Sequence, residues 1–208
     1  MNNLKTFVLL AGLLALCLVV GQLLGGAGGL LIGGMFGLVG TVGSYWFSDR
    51  MVLRGYHAKL VTEAEAPELF AMVDRLRQRA GLPMPRLAIV PEPQPNAFAT
   101  GRSPRHAVVA VTQGALQLLP SEELEGVLAH ELGHVLWHPI GANFRDADFT
   151  ASSKLEVEAN RFAADLLMPE WMVQAAMGAV GYAPVKLASM FDVSTASMSY
   201  RLRQLKLL

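Results

Sequence analysis

From Thr6 to Ser48 the chain carries no Asp, Glu, Lys or Arg. Roughly 20 helical residues cross the hydrocarbon core of a bilayer, so this run has the length for two spans and a turn between them. The first, over residues 6–24, is dominated by Leu and Val, side chains that each favour the bilayer centre by about 0.3–0.6 kcal/mol. The second, over residues 30–47, is glycine-rich. Gly25, Gly29, Gly33 and Gly37 recur at every fourth position, a spacing that clears one helix face for the close approach of another backbone. Tyr45 and Trp46 stand where an aromatic belt would meet the headgroups. Lys5 precedes the first span, Arg50, Arg54 and Lys59 follow the second, and the turn carries no charge. Basic flanks mark the cytoplasmic side, so both ends of a transmembrane hairpin over residues 1–49 are expected there. A cleaved secretory signal over residues 5–20 is the competing reading, but a second apolar run follows it where a cleavage site should.

Residues 50–208 suffice for one globular domain that buries roughly two-thirds of its unfolded surface. Cys17, the sole cysteine, lies inside the first span, which excludes a disulfide framework and a thiolate metal site. Seventeen basic residues balance seventeen acidic ones, so the overall charge gives no argument for a nucleic-acid partner. Leu69, Met72, Val73 and Leu76 follow helical spacing up to Gly81, and the apolar runs at 86–90 and 107–112, with a weaker one at 97–100, read as a small sheet. Pro91, Pro93 and Pro95 make a rigid connection. Ser121 is a candidate N-cap, Glu122 and Glu123 suit the first turn of a helix, and Pro139 should stop that helix after about Trp137. A polar loop over 141–152 and four further helices, near 154–168, 170–177, 185–191 and 195–205, complete an α+β domain.

The helix before Pro139 contains His130-Glu131-Leu132-Gly133-His134. Two histidines four apart share one helix face, one turn from each other, and can grip a single zinc ion. Glu131 then lies beside the metal, positioned as general base for a water whose pKa zinc lowers to roughly 7. Val127, Leu128, Leu132, Val135 and Leu136 give the same helix an apolar exterior that would bury it.

A hydrolytic zinc site needs a third protein ligand and an open position. His138 lies a further turn along, away from the midpoint of the first pair. The three-histidine pattern is absent, because Trp137 and Ile140 occupy its Gly and His positions. Glu156 and Glu158 point to nearly opposite sides of their helix, so at most one of them reaches the metal. Glu156 shares its face with Asn160, which could orient a ligand histidine, and this favours Glu156 over Glu158 and His138. Ser153 and Glu156 could alternatively form a simple capping box.

The residues leading to this motif, together with Glu65-Ala66-Pro67-Glu68-Leu69, Gly81-Leu82-Pro83-Met84-Pro85 and Pro95-Asn96-Ala97-Phe98-Ala99-Thr100-Gly101, resemble HtpX-type membrane zinc metalloproteases. From the zinc helix onward, His138-Pro139, Glu156 to Ala164, Leu166-Leu167-Met168-Pro169 and the segment from Leu187 to Ser194 are similar to ImmA/IrrE-type metallopeptidases. Both resemblances imply a zincin-like fold of the gluzincin kind, one zinc ion per chain, and a glutamate ligand from a downstream helix, which in this sequence is Glu156. The HtpX resemblance implies an endopeptidase of a bacterial inner membrane, active on the cytoplasmic side in protein quality control or stress response. The IrrE resemblance implies cleavage of a transcriptional repressor. Two departures from the HtpX pattern stand out: no apolar run after the zinc helix is long enough to span a bilayer, and Asn160 replaces the usual Asp.

An edge strand at Asn96, Ala97, Phe98 and Ala99 could add an extended substrate to the sheet. His106, Arg161 and Tyr182 are candidates for stabilising negative charge in the transition state. Residues 184–207 read as helix, turn, helix, with Leu187, Phe191, Met198 and Leu202 inward and Arg201, Arg203 and Lys206 outward. A pair packed on the peptidase core is favoured there over a DNA-binding regulator. The expected partners are therefore a protein or peptide substrate and a lipid bilayer.

Overall fold

The computed structural model describes residues 2–137 and 154–207. His138, Pro139, the polar loop at 141–152 and Ser153 lie outside the described residues, as do the side chains of Lys5 and Tyr45. The chain divides into two compact units, residues 1–52 and 53–208.

In the first unit, helix α1 (Asn2–Gly55) is broken at Gly25 (φ −147°, ψ 21°) and Gly26 (φ 55°, ψ −140°). The Gly26 conformation is one that a Cβ resists. Segments before and after the break lie against each other: a Cβ on Gly21 would strike the Gly29 carbonyl, and one on Gly33 would strike that of Cys17. A Cβ on Gly37 would come within 2.9 Å of Cys17 Cβ. The four-residue glycine pattern is thus divided between two uses. Gly29, Gly33 and Gly37 provide close approach to Gly21 and Cys17, while Gly25 meets nothing within 4 Å and serves the break. The stretch Phe7–Ser44 is long and apolar enough to cross a membrane, and Leu23 and Leu24 remain 80% and 85% exposed.

The second unit begins with a four-stranded mixed sheet in the order β1 (Lys59–Val61), β2 (Arg86–Val90), β4 (Val108–Thr112), β3 (Ala97–Thr100). Strands β2 and β4 are parallel, and the two outer pairings are antiparallel. Leu87 pairs with Val109 and Val109 with Ala99, so these side chains share one face of the sheet. That face packs into one cluster with Val73 and Leu76 of α2 (Pro67–Ala80) and with Leu128 and Leu132 of α4 (Ser121–Trp137). Each fully buried leucine contributes about 1.5–3 kcal/mol, which ties α4 firmly to the sheet. Two elements add to the expected set, β1 and the short helix α3 (Gln113–Leu118). Thr112 starts α3 by accepting the Ala115 N–H at 3.1 Å, and it donates to the Gln94 carbonyl at 2.9 Å.

Helices α5 (Lys154–Leu167), α6 (Glu170–Val180), α7 (Pro184–Phe191) and α8 (Thr195–Gln204) follow. A second core of Ala164, Met168, Val173, Leu187, Met198 and Leu202 joins them, so the C-terminal pair packs on α5 and α6. One expectation is corrected here: Arg201, read as outward-facing, is 2% exposed. Its Nη2 lies 2.6 Å from Asp165, its Nε donates to the Met168 carbonyl at 2.9 Å, and its Nη1 donates to Gln204 Oε1 at 2.7 Å. Burial of this cation is tolerated because each edge of the guanidinium finds an oxygen.

Arg201→Ala should therefore lower stability by about 2–4 kcal/mol, through lost packing and an unsatisfied carbonyl. Chemical denaturation of the full chain in detergent measures this, and Arg203→Ala, on an exposed helix face, should change stability by less than about 0.5 kcal/mol.

Candidate metal centre

Helix α4 buries Leu124, Leu128, Leu132 and Val135 toward the sheet, and its histidines consequently face α5. Close approach of the two helices depends on small residues. A Cβ on Gly133 would lie 3.2 Å from Ala159 Cα and 3.0 Å from the Phe162 ring. The motif alone assigns Gly133 no role; the signal for one is a glycine inside a helix, which costs roughly 1 kcal/mol relative to Ala unless packing requires it.

Nε2 of His134 lies 2.9 Å from Nε2 of His130. Glu156 brings Oε2 to 3.2 Å from His130 Nε2 and Oε1 to 3.4 Å from His134 Nε2. Ligand atoms held about 2.0–2.1 Å from a tetrahedral ion stand ~3.3 Å apart, so the three side chains fit one zinc-sized cation between them. Among the described residues these three form the group able to hold a metal ion, all ligand atoms falling within 4.8 Å of one another. Glu158 turns elsewhere and lies 3.7 Å from Lys154 Nζ.

Asn160 Oδ1 sits 2.9 Å from His130 Nδ1. An amide oxygen only accepts, so Nδ1 carries the proton and Nε2 keeps its lone pair toward the centre. Burial lowers the His130 pKa, opposed by the Glu156 carboxylate and the Asn160 hydrogen bond; the neutral ring is the form that can ligate. Glu131 is buried, and its Oε2 has no hydrogen-bond partner among the described residues. Desolvation pushes its pKa up to about 8, against a backbone hydrogen bond from Ala99, while the Glu156 charge adds to the rise. The Ala99 N–H on Glu131 is not legible in the sequence, because backbone partners leave no mark on residue identity.

Strand β3 lies at the sheet edge. Thr112 N–H donates to the Asn96 carbonyl, so Ala97 and Ala99, out of phase with Asn96, turn their backbone groups outward. The Ala97 N–H meets Asn96 Oδ1 at 2.9 Å and the Ala99 N–H meets Glu131, which leaves the Ala97 and Ala99 carbonyls as the outward acceptors. Phe98 points to the opposite face and stacks on Tyr56 with ring centroids 5.0 Å apart. Of the charge-stabilising candidates, His106 Nδ1 is 2.9 Å from Ser103 Oγ, Arg161 faces Asp165 at 3.7 Å, and Tyr182 is half exposed beyond the end of α6.

Peptidase family M48 matches residues 63–141, and the IrrE N-terminal-like domain matches residues 117–203. The overlap is centred on α4. About two-thirds of the chain is similar to proteins named protease HtpX homolog: 56% identical over 135 residues in Gemmatimonas aurantiaca, 53% over 134 in Ralstonia pickettii and 53% over 131 in Pyrococcus furiosus. These alignments cover 65%, 64% and 63% of this chain and 48%, 47% and 45% of the respective relatives. The front of the chain resembles HtpX-type zinc metalloproteases. Its back resembles IrrE, and the chain spans about half the length of the curated HtpX relatives it matches.

Glu131 generates a pH prediction. Its folded pKa of about 8 exceeds the ordinary 4.5, so the folded state retains a proton that the unfolded chain releases. Stability from this group is full below about pH 4.5 and falls as pH rises toward 8. In chelator-treated protein, Glu131→Gln should be more stable than the parent at pH 8, by on the order of 4 kcal/mol. The difference should vanish near pH 4.5 when unfolding is followed by denaturant titration.

Proposed function

We propose that this chain is a membrane-tethered zinc metalloendopeptidase that hydrolyses protein substrates, in membrane protein quality control or the stress response. The convergence of His130 Nε2, His134 Nε2 and both Glu156 oxygens, with Glu131 Oε2 buried beside them and without a partner among the described residues, carries this reading. Similarity to HtpX homologs over about two-thirds of the chain, and the peptidase family M48 match over residues 63–141, support it.

His130, His134 and Glu156 are the zinc ligands in this account, and Asn160 fixes the ring orientation and tautomer of His130. A zinc ion held there supplies a Lewis acid and a water of lowered pKa. Glu131 accepts the water's proton at Oε2 and returns it to the departing amine nitrogen, so one carboxyl serves as base and then as acid. The Ala99 N–H steadies the other side of that carboxyl through the exchange. An extended substrate lies along β3, its N–H groups donating to the Ala97 and Ala99 carbonyls.

The apolar segment of α1 crosses the membrane as a two-helix hairpin over residues 1–49, the glycines of its halves in contact, and residues 50–208 form the peptidase domain. The basic flanks Lys5, Arg50, Arg54 and Lys59 support an active site on the cytoplasmic side of a membrane of the bacterial inner type. The IrrE-like match over residues 117–203 favours a second reading of the substrate, a transcriptional repressor cut by the same chemistry. Substrates trapped on Glu131→Gln distinguish the two.

Glu131→Gln should lower hydrolysis of a casein-type substrate at least about 1,000-fold while keeping one zinc per chain, and Glu156→Gln should lose zinc as well as activity. Metal analysis beside the chelator-controlled assay checks both, and full activity in either variant would refute the assignment. A C-terminal tag should resist protease added to intact cells; its digestion would reverse the topology.

A further inference from the structure

A groove of about 660 Å³ runs beside the metal centre, and His130 and Asn160 line it. Its walls come from three helices and a turn. Helix α4 contributes Glu122, Glu123 and Val127, α5 contributes Ala163 and Leu167, α8 contributes Ser197 and Tyr200, and the turn before α8 contributes Val193. Helices α4 and α5 run antiparallel here, since His134 meets Glu156 while His130, one turn earlier, meets Asn160. The groove therefore leads from the metal centre toward the N-terminus of α4. Glu122 stands eight positions before His130, about 12 Å along the helix, the length of roughly three to four extended residues.

The chemistry of the lining changes along that path. Past His130 and Asn160 the middle is apolar, through Val127, Ala163 and Leu167, and α8 closes the side with Tyr200. At the far end stand the carboxylates of Glu122 and Glu123, and no Lys or Arg is among the described lining residues. The neighbour of Tyr200 is Arg201, whose ion pair with Asp165 and bond to the Met168 carbonyl hold α8 against α5. The wall is thereby fixed in place.

We propose that this groove receives the substrate polypeptide on one side of the scissile bond, and that the C-terminal helical pair is its specificity wall. The segment it takes has a bulky apolar side chain next to the cut and a Lys or Arg two to four residues further on. A lining that begins at His130 and Asn160, and charge complementarity at the far end, select that occupant over a second protein domain or a nucleic acid. The inference rests on the peptidase reading and deepens it by naming a substrate class.

The test is digestion of a proteome-derived peptide library by the zinc-loaded full chain in detergent, with cut sites read by mass spectrometry. The parent protein should enrich Phe, Leu or Met beside the cut and Lys or Arg two to four residues away on that same side, each roughly tenfold. Glu122→Lys combined with Glu123→Lys, on exposed or half-exposed positions, should invert the charge preference to Asp and Glu. Ser197→Trp, which narrows the groove from α8, should shift the apolar preference to Gly and Ala. Cleavage by both variants at the parent's sites, or parent cleavage with no such preference, overturns the groove assignment and leaves the peptidase standing. Failure of the parent to cut any peptide, with zinc bound, overturns both.

Discussion

The close crossing of α4 over α5 is the contact on which the rest of the site depends. Gly133 removes the side chain that would hold the helices apart, and Ala159 opposite it is fully buried. Only at that separation can Glu156, from the first turn of α5, reach both Nε2 atoms while Asn160, one turn later, reaches Nδ1 of His130. A larger residue at 133 would move α5 outward and open all of these distances together, because interiors pack too densely to absorb a methyl group locally. The motif supplies the two imidazoles, but its glycine decides whether the third side chain arrives.

Packing that assembles the centre also makes it costly. Two carboxylates, Glu131 and Glu156, are drawn toward two imidazoles on a buried stretch of α4, where desolvation pushes the Glu131 pKa up to about 8 and lowers that of His130. Each shift favours the neutral form, and a neutral imidazole with its lone pair turned inward is a cation ligand. A divalent ion would offset the repulsion between the carboxylates and hold Glu131 ionised. The site thus stores an electrostatic imbalance of the sign a cation relieves, with the Leu and Val burial of α4 and the sheet keeping it assembled.

Much of this was legible in the sequence wherever periodicity or chemistry was local. The apolar stripe of α2, the runs of β2, β3 and β4, and the His130, Glu131, His134 spacing all follow from patterns within one element. What escaped depended on partners distant in the chain. Strand β1 is three residues with two exposed side chains, too short for an alternating pattern, and it exists because β2 offers an edge. Helix α3 has six residues and owes its start to the Thr112 hydroxyl. Arg201 reads as a surface cation on a helical wheel, and only Asp165 and the Met168 carbonyl, more than thirty residues earlier, make its burial tolerable. Gly25 leaves the packing face that the four-residue repeat assigns it, and Gly21, outside the stated repeat, makes the contact with Gly29, because the break falls at Gly25 and Gly26 and the register of the returning segment follows from where the chain turns.

Helix α5 also explains how an HtpX-like front and an IrrE-like back can share one domain. Phe162, Ala163 and Leu166 join the core beneath the sheet, Ala164 and Met168, just past the end of α5, join the core of α6 to α8, and Leu167 touches both. The helix that carries Glu156 and Asn160 is therefore gripped from two sides by largely separate clusters. Each cluster can vary behind its own face provided the crossing at Gly133 and Ala159 is kept. Chemistry is then carried by the α4–α5 pair, while the front supplies the edge strand and the back supplies the outer wall of the groove. Since α8 and the turn before it border that groove, a change there alters the wall beside the candidate centre without touching the His130, His134 and Glu156 side chains, a division of labour that allows substrate choice and catalysis to vary independently.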